Sequence, residues 1–248
     1  MSGHSKWATI KHKKGAADKA RAKVFNKIAR QLEVAARDGG ADPTSNASLR
    51  TVILKAKAAQ MTNDAIDRAV KRGAGIGDGG TYESITYEGY APGGVAMLID
   101  VLTDNRNRTS AEVRNIFSKL GGSMAEPGAV GWQFSRRGVV LVNGSDEDSV
   151  MLAALDAGAD DVSADGDGWR VTTDPSAVYE VRDALQAAGL DIASAESTMV
   201  SSLTVEVLDA DDARKILRIM DALEENDDVQ DVYSNFDISD ELMEAVGA

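Results

Sequence analysis

The sequence predicts an α+β fold: an N-terminal helical bundle followed by two α/β domains of the ferredoxin-like type, the second inserted into the first. Three observations predict it. Apolar residues recur at helical spacing through residues 16–72 and then give way to short strand-like runs. Five glycines fall within the eight positions 73–80, at the boundary between the two regimes. Beyond them a complete β-α-β-β-α-β run occupies residues 135–202, leaving a β-α-β tail that cannot cover both faces of a sheet of its own.

Residues 1–15 are polar, basic and aperiodic and read as a flexible arm. In 16–37, Val24, Phe25, Ile28, Leu32, Ala35 and Ala36 make one apolar stripe; Gly39-Gly40 ends that helix and Asp42-Pro43 bars its resumption. A second helix, 46–60, would bury Leu49, Val52, Ile53 and Ala56. Thr62 caps a third with Asp64 in its first turn, Ile66, Ala69 and Val70 inward, and Lys71-Arg72-Gly73 as its close. The glycine-rich 73–80 follows a helix, not a strand, and lacks a Gly-Lys-Ser/Thr, so it reads as a linker and not a nucleotide loop.

Strands are expected at 82–90 and 95–103, joined by Ala91-Pro92-Gly93-Gly94. A helix at 109–120 would open on the capping box Thr109-Ser110-Ala111-Glu112 and close on Gly121-Gly122. After a strand at 130–134 comes the self-contained run, with strands 139–142, 161–164, 169–172 and 194–200 and helices 147–157 and 175–188. The tail adds strand 204–208, helix 211–224 and strand 229–237. Returning the tail to the incomplete 81–134 unit gives three domains: 1–79, a basic arm and bundle; 80–134 plus 203–248, discontinuous; and 135–202, inserted.

Composition excludes several kinds of chemistry. The 248 residues include no Cys, which removes disulfides, thiolate nucleophiles and Cys-ligated zinc. The two histidines, His4 and His12, lie in the arm without a third ligand nearby, so no metal or other cofactor is expected. The body therefore lacks the parts of a Ser-His-Asp triad or a Cys-His dyad, and the chain reads as a non-enzyme without a small-molecule substrate. Asp165-Gly166-Asp167-Gly168 fails the calcium-loop pattern, since Ser176 stands where Glu is needed. Residues 1–14 lack the apolar core of a signal peptide, and the apolar run Val95 to Ile99 stops at Asp100, far short of a membrane span. A cytoplasmic protein with no membrane partner is expected.

Charge carries the functional reading. The net charge is −13, yet residues 1–75 hold sixteen basic residues against six acidic, a net of +10, and the remainder eleven against thirty-four, a net of −23. Lys19, Lys23, Lys27 and Arg30, at spacings of four, four and three, form one stripe on the first helix. Like charges at i, i+4 each cost an isolated helix roughly 0.2–0.5 kcal/mol unless an anion offsets them. Lys6, Lys11, Lys13 and Lys14 extend the positive track into the arm, where Trp7 is placed to stack on a base. Nucleic acid is the expected partner. Two other readings stay open: the stripe is a solvated face, or the basic part docks on the acidic part of the same chain.

Thr103-Asp104-Asn105-Arg106-Asn107-Arg108-Thr109 is the other dense polar segment. With Asp104 as base and Arg106 and Arg108 clamping a phosphate it would be catalytic. The favoured reading is a capping loop whose arginines bind carboxylates or anions, and whose exposed residues are candidates for an RNA or protein contact.

The string from Gly3 to Lys14, Gly-His-Ser-Lys-Trp-Ala-Thr-Ile-Lys-His-Lys-Lys, strongly resembles the opening of the YebC/PmpR family, which includes mitochondrial translational activators of cytochrome oxidase. The resemblance continues through the strings 85–95 and 102–109 and returns at Ala157-Gly158-Ala159 and Asp227-Asp228-Val229-Gln230. It departs at Met61-Thr62-Asn63, where the family usually has Pro after Met. It implies one helical and two α/β domains, and a cytoplasmic DNA-binding transcriptional regulator without established enzymatic activity. It equally implies kinship with translation factors that bind the ribosome and its RNA and help at consecutive prolines.

Overall fold

The computed structural model describes residues 17–75, 81–144 and 146–247, with the side chains of the first helix from Ala22 onward. Helices α1 (Ala17–Gly39), α2 (Ala47–Ala58) and α3 (Asn63–Gly73) come first. Ile28, Leu32, Ala35 and Ala36 of α1 are buried with Leu49, Ala56, Ile66 and Ala69 of α2 and α3, and Met61 closes the cluster. Helices of twelve and eleven residues are marginal alone, so this shared burial is what keeps them folded. Asn46 joins two of them. Its amide donates to the carbonyls of Ala35 (2.7 Å) and Gly40 (2.8 Å), while its Oδ1 caps α2 by accepting from the Leu49 N–H.

Thr62 caps α3 as the sequence predicts, but Gly73 has a different role from the expected one. It is the last residue of the helix, and a Cβ there would strike the backbone carbonyl of Glu33 on α1. Close packing of α3 on α1 requires this glycine; the left-handed turn falls on Gly75, at φ 82°.

The body continues with β1 (Glu83–Ala91), β2 (Val95–Thr103), α4 (Arg106–Lys119) and β3 (Ser123–Met124). Next come β4 (Phe134–Val142), α5 (Glu147–Asp156), β5 (Asp161–Asp165), β6 (Gly168–Thr173), α6 (Val178–Ala187) and β7 (Ile192–Ser201). The chain ends with β8 (Val205–Val207), α7 (Ala210–Glu225), β9 (Val229–Ser234), β10 (Phe236–Ile238) and α8 (Asp240–Gly247).

The first sheet has the order β3-β1-β2-β9, all antiparallel. β2 is buried on both faces, which is why it reads as a continuous apolar run. Its Val95, Met97, Ile99 and Val101 join Val113 and Phe117 of α4 and Ile216 and Met220 of α7 in the main core. Its Ala96 and Leu98 meet Val130, Phe134 and Tyr233 on the other side. Because β9 pairs with β2, the tail does return to the sheet begun by the 81–103 hairpin, after the intervening unit. That unit has the order β5-β6-β4-β7, the ferredoxin-like arrangement, with Val150, Ala154, Val178, Val181 and Leu185 of its helices packed on Val140, Val142 and Val171.

Three elements differ from expectation. α4 starts at Arg106, not Thr109: Asn105 is its N-cap, accepting from the Arg108 N–H at 3.1 Å, and Thr109 is buried inside the helix. The strand expected at 130–134 is a 3-10 turn, Gly131–Gln133, leading into the longer β4. Glu88 causes this, because its carboxylate accepts the backbone N–H groups of Gly128, Val130 and Gly131 at 2.6–2.8 Å and curls the segment around itself. The last strand divides at Asn235, whose Oδ1 accepts from Ala96 N–H at 2.8 Å and whose amide donates to Gln133 at 2.9 Å. The chain there leaves β2 and continues as β10, parallel to β8.

Candidate nucleic-acid interface

Lys23, Lys27 and Arg30 share one side of α1, as their spacing requires. That side lies against the C-terminal end of α7 and the loop into β9. Lys23 Nζ sits 2.6 Å from the Glu225 carboxylate and 3.0 Å from the Glu225 carbonyl; Lys27 Nζ donates to the Glu224 carbonyl at 2.8 Å. Arg30 donates to the Asp227 carbonyl and to Asp228 Oδ1, both at 2.9 Å, with its guanidinium 5.4 Å from the centre of the Tyr82 ring. Lys55 of α2 adds a looser pair with Asp231, at 3.7 Å. The last carbonyls of a helix have no partner within it and form the negative end of its dipole, so lysines are the natural caps for this terminus. The open cationic track expected along α1 is therefore closed at Lys23, Lys27 and Arg30, where the chain's own acidic segment supplies the acceptors.

Asp228 is the centre of this seam and is only 4% exposed. Its Oδ2 accepts from Arg108 (2.7 Å), Thr109 (2.7 Å) and Thr103 (3.1 Å), and its Oδ1 from Arg30. Burial pushes the carboxyl's pKa up, but the bonds from Arg108, Thr109, Arg30 and Thr103 outweigh it and hold Asp228 below its ordinary value. Arg108 also pairs with Asp104 at 2.8 Å, and its guanidinium is held still more firmly charged, first by Asp228 and then by Asp104. The Thr103–Thr109 segment is thus a cap and a carboxylate clamp: Asn105 opens the helix as its N-cap, Arg108 ties it to the tail, and Asp104 is taken up by Arg108.

Of the other expected site residues, Arg106 is exposed in the first turn of α4 and has no carboxylate partner among the described residues. Lys6, Trp7, Lys11, Lys13 and Lys14 lie outside the described residues, as does the side chain of Lys19. The structure adds cations that sequence spacing does not gather: Lys57 on α2 and Arg68 and Lys71 on α3 are exposed and carry no ion pair among the described residues. They come from two helices, so no periodicity links them. Asp228 was visible only as part of the string 227–230, and nothing local marks it as the acceptor for residues over a hundred positions away.

Among the described residues no helix is long and apolar enough to cross a membrane, and no group of three His, Asp or Glu side chains is arranged to hold a metal ion.

Comparison with known proteins places this geometry in a family. Residues 5–76 match the model described as the TACO1/YebC protein N-terminal domain, and residues 82–236 the one described as the TACO1/YebC second and third domain. A "Probable transcriptional regulatory protein" of Rubrobacter xylanophilus is 56% identical over 249 residues, covering 99% of each chain. One of the same name from Shewanella oneidensis is 53% identical over the full length of both. The crystal structure of a conserved hypothetical protein from Aquifex aeolicus superposes with a TM-score of 0.77 at 41% identity, covering 90% of this chain and 93% of that one. The chain belongs to the TACO1/YebC family.

Proposed function

We propose that this regulator works by binding nucleic acid, as a DNA-binding transcriptional regulator acting in the cytoplasm, and that it binds without turning anything over. The observation that carries this reading is the partition of charge: a front segment of +10 on a chain of −13. Docking on the acidic tail occupies part of that excess and leaves the rest. Residues 1–21 hold six basic residues against one acidic, and the bundle presents Lys57, Arg68 and Lys71 unpaired. The names of the relatives support regulation.

Replacing Lys57, Arg68 and Lys71 together by Ala should flatten the salt dependence of duplex binding, lowering the slope of log K against log salt by about 2.7 if each meets one phosphate. An unchanged slope would remove these three from the interface. A second reading, a ribosome-associated factor holding ribosomal RNA and relieving stalls at proline-rich stretches, is favoured by the resemblance to translational activators. Cross-linking nucleic acid to the protein in cells and sequencing what is recovered decides between them: promoter DNA supports the first reading, ribosomal RNA the second.

A further inference from the structure

A cleft of about 390 Å³ lies between α4 and the outer edge of β1, walled by Thr86, Tyr87, Ser110, Arg114, Ser118 and Ser123. Ser110, Arg114 and Ser118 recur every four residues along α4, and Arg106 precedes them by the same step. The Tyr87 hydroxyl donates to the Arg106 carbonyl at 3.4 Å, tying the start of the helix to the same wall.

The edge opposite is open. Ala125 N–H donates to the Glu88 carbonyl from the side away from β2, so Glu88, and Thr86 two residues earlier, turn their backbone groups outward. β3 covers only Gly89 and Tyr90. The Thr86 N–H therefore faces the cleft alongside three hydroxyls and a guanidinium with five N–H donors.

Charge decides what fits. Beyond residue 75, Arg108, Arg137, Arg170, Arg182, Arg214 and Lys215 are all paired with carboxylates. Arg106 and Arg114 have no such partner among the described residues, and neither do Lys119, Arg136 and Arg218, but of these five only Arg114 lines the cleft. Two carboxylates border the cleft. Glu88 is taken up by the N–H groups of Gly128, Val130 and Gly131, and Glu126 stands exposed at the rim. A donor-rich cleft with an uncommitted arginine calls for an anionic ligand. Arg106 and Arg114 are about 12 Å apart along the helix, which suits two phosphates of one strand.

We propose that this cleft binds the phosphodiester backbone of single-stranded nucleic acid, with Arg114 on a phosphate inside it, Arg106 on another phosphate of the same strand beyond its end, and the serines and Thr86 N–H on phosphate and sugar oxygens. The inference rests on the nucleic-acid reading above and adds a second contact, remote from the N-terminal segment. The cleft is at the small end of ligand sites and takes about one nucleotide at a time, which excludes a duplex. An extended peptide added to the β1 edge fits less well, because Arg37 takes the Tyr82 carbonyl and only Ser84 and Thr86 offer outward groups.

The test uses the full-length chain and an oligouridylate of about twelve nucleotides, with affinity read by fluorescence anisotropy from about 50 to 200 mM salt. Arg114→Ala should weaken binding about five- to tenfold at low salt and reduce the slope by about 0.7, and Arg106→Ala/Arg114→Ala by about 1.4. Arg114→Lys should restore the slope, and duplex binding should not change in any of them. If the wild type binds the oligonucleotide and Arg114→Ala matches it in affinity and slope, the cleft assignment is overturned while the wider reading stands. A wild type that holds neither oligonucleotide nor duplex overturns both. Loss of polyglutamate binding in Arg114→Ala, with the oligonucleotide still held, reassigns the cleft to an acidic peptide.

Discussion

The seam around Asp228 and the cleft around Arg114 are built from the same materials, arginines on helices beside strand ends, and they reach opposite states. At the seam every described cation of the α1 stripe finds an acceptor on the chain itself: Lys23 on Glu225, Lys27 on the Glu224 carbonyl, Arg30 on Asp228. At the cleft the nearest buried carboxylate, Glu88, is consumed by backbone N–H groups, and Arg114 is left uncommitted. Spacing on a helix tells which cations share a side; what the side meets depends on the neighbour that the fold brings to it. For α1 that neighbour is a helix C-terminus followed by Glu224, Glu225, Asp227 and Asp228. An acceptor on the same chain acts at a high effective concentration, so it takes the cations ahead of an external polyanion.

The largest expected effect tests whether the seam is as closed as this comparison requires. Asp228→Ala leaves two arginines and two threonine hydroxyls without their shared acceptor and should cost about 3–5 kcal/mol in urea unfolding, with faster hydrogen exchange in both α1 and α4. Asp228→Asn keeps the shape and should cost clearly less. The depressed carboxyl also fixes a pH dependence. Its contribution is complete above the unfolded value of about 3.9 and is lost as pH falls below that toward the folded value, so Asp228→Asn should flatten the acid limb of the stability curve. A loss under about 1 kcal/mol for the Ala variant would show that the seam is solvated and the stripe is available after all.

Glu88 is the cleft's counterpart to Asp228. Burial raises its pKa, but the N–H groups of Gly128, Val130 and Gly131 together outweigh it, and the carboxyl sits below its ordinary value. Its donors come from one loop and not from three segments. Glu88→Ala should therefore cost about 2–3 kcal/mol, with exchange rising only across residues 125–132. Exchange spreading into α1 would break the contrast between a local and a global anchor.

The parts of the molecule legible in the sequence are those written by local chemistry. The apolar stripe through Ile28, Leu32 and Ala36, the Thr62 cap, the Pro92–Gly94 turn and the β-α-β-β-α-β order all depend on residues within a few positions of one another. The misreadings share one cause, a distant group imposing itself. Thr109 has the sequence of a helix cap but bonds to Asp228, and the cap falls on Asn105 instead. Residues 130–134 have the alternation of a strand but are curled by Glu88, over forty positions back. The stripe on α1 has the register its spacing predicts, but the spacing alone leaves its neighbour open among nucleic acid, solvent and the chain's own acidic part, because α7 lies nearly two hundred positions away. Arg114 lies within a recognisable helix; only the structure shows that it lacks a partner.

Smaller effects separate the two regions functionally. Lys23→Ala/Lys27→Ala removes one partly exposed pair and two carbonyl contacts and should cost only about 0.2–1 kcal/mol. It should leave affinity for both oligonucleotide and duplex unchanged, in contrast to Arg114→Ala. A drop in affinity matching that of Arg114→Ala would mean that the seam opens to receive the ligand.

The smallest effect concerns a carboxylate without the help that Asp228 receives. Asp100 on β2 is raised above its ordinary value, chiefly by burial and also by Asp231, against the opposing pull of Thr86 and Arg136. Its carboxylate accepts a hydrogen bond from the Thr86 hydroxyl, at 2.8 Å. A raised folded value means that the native state holds the proton more tightly than the unfolded chain. That contribution is complete at low pH and is lost as pH rises through the folded value, so at neutral pH the ionised Asp100 is a liability. Asp100→Asn keeps an acceptor for Thr86 and cannot ionise. It should raise Tm by about one to three degrees at pH 7 and leave it unchanged near pH 3. Equal destabilisation at both pH values would mean that the charge is needed by Arg136, and that this sheet face tolerates a buried carboxylate as well as the seam does.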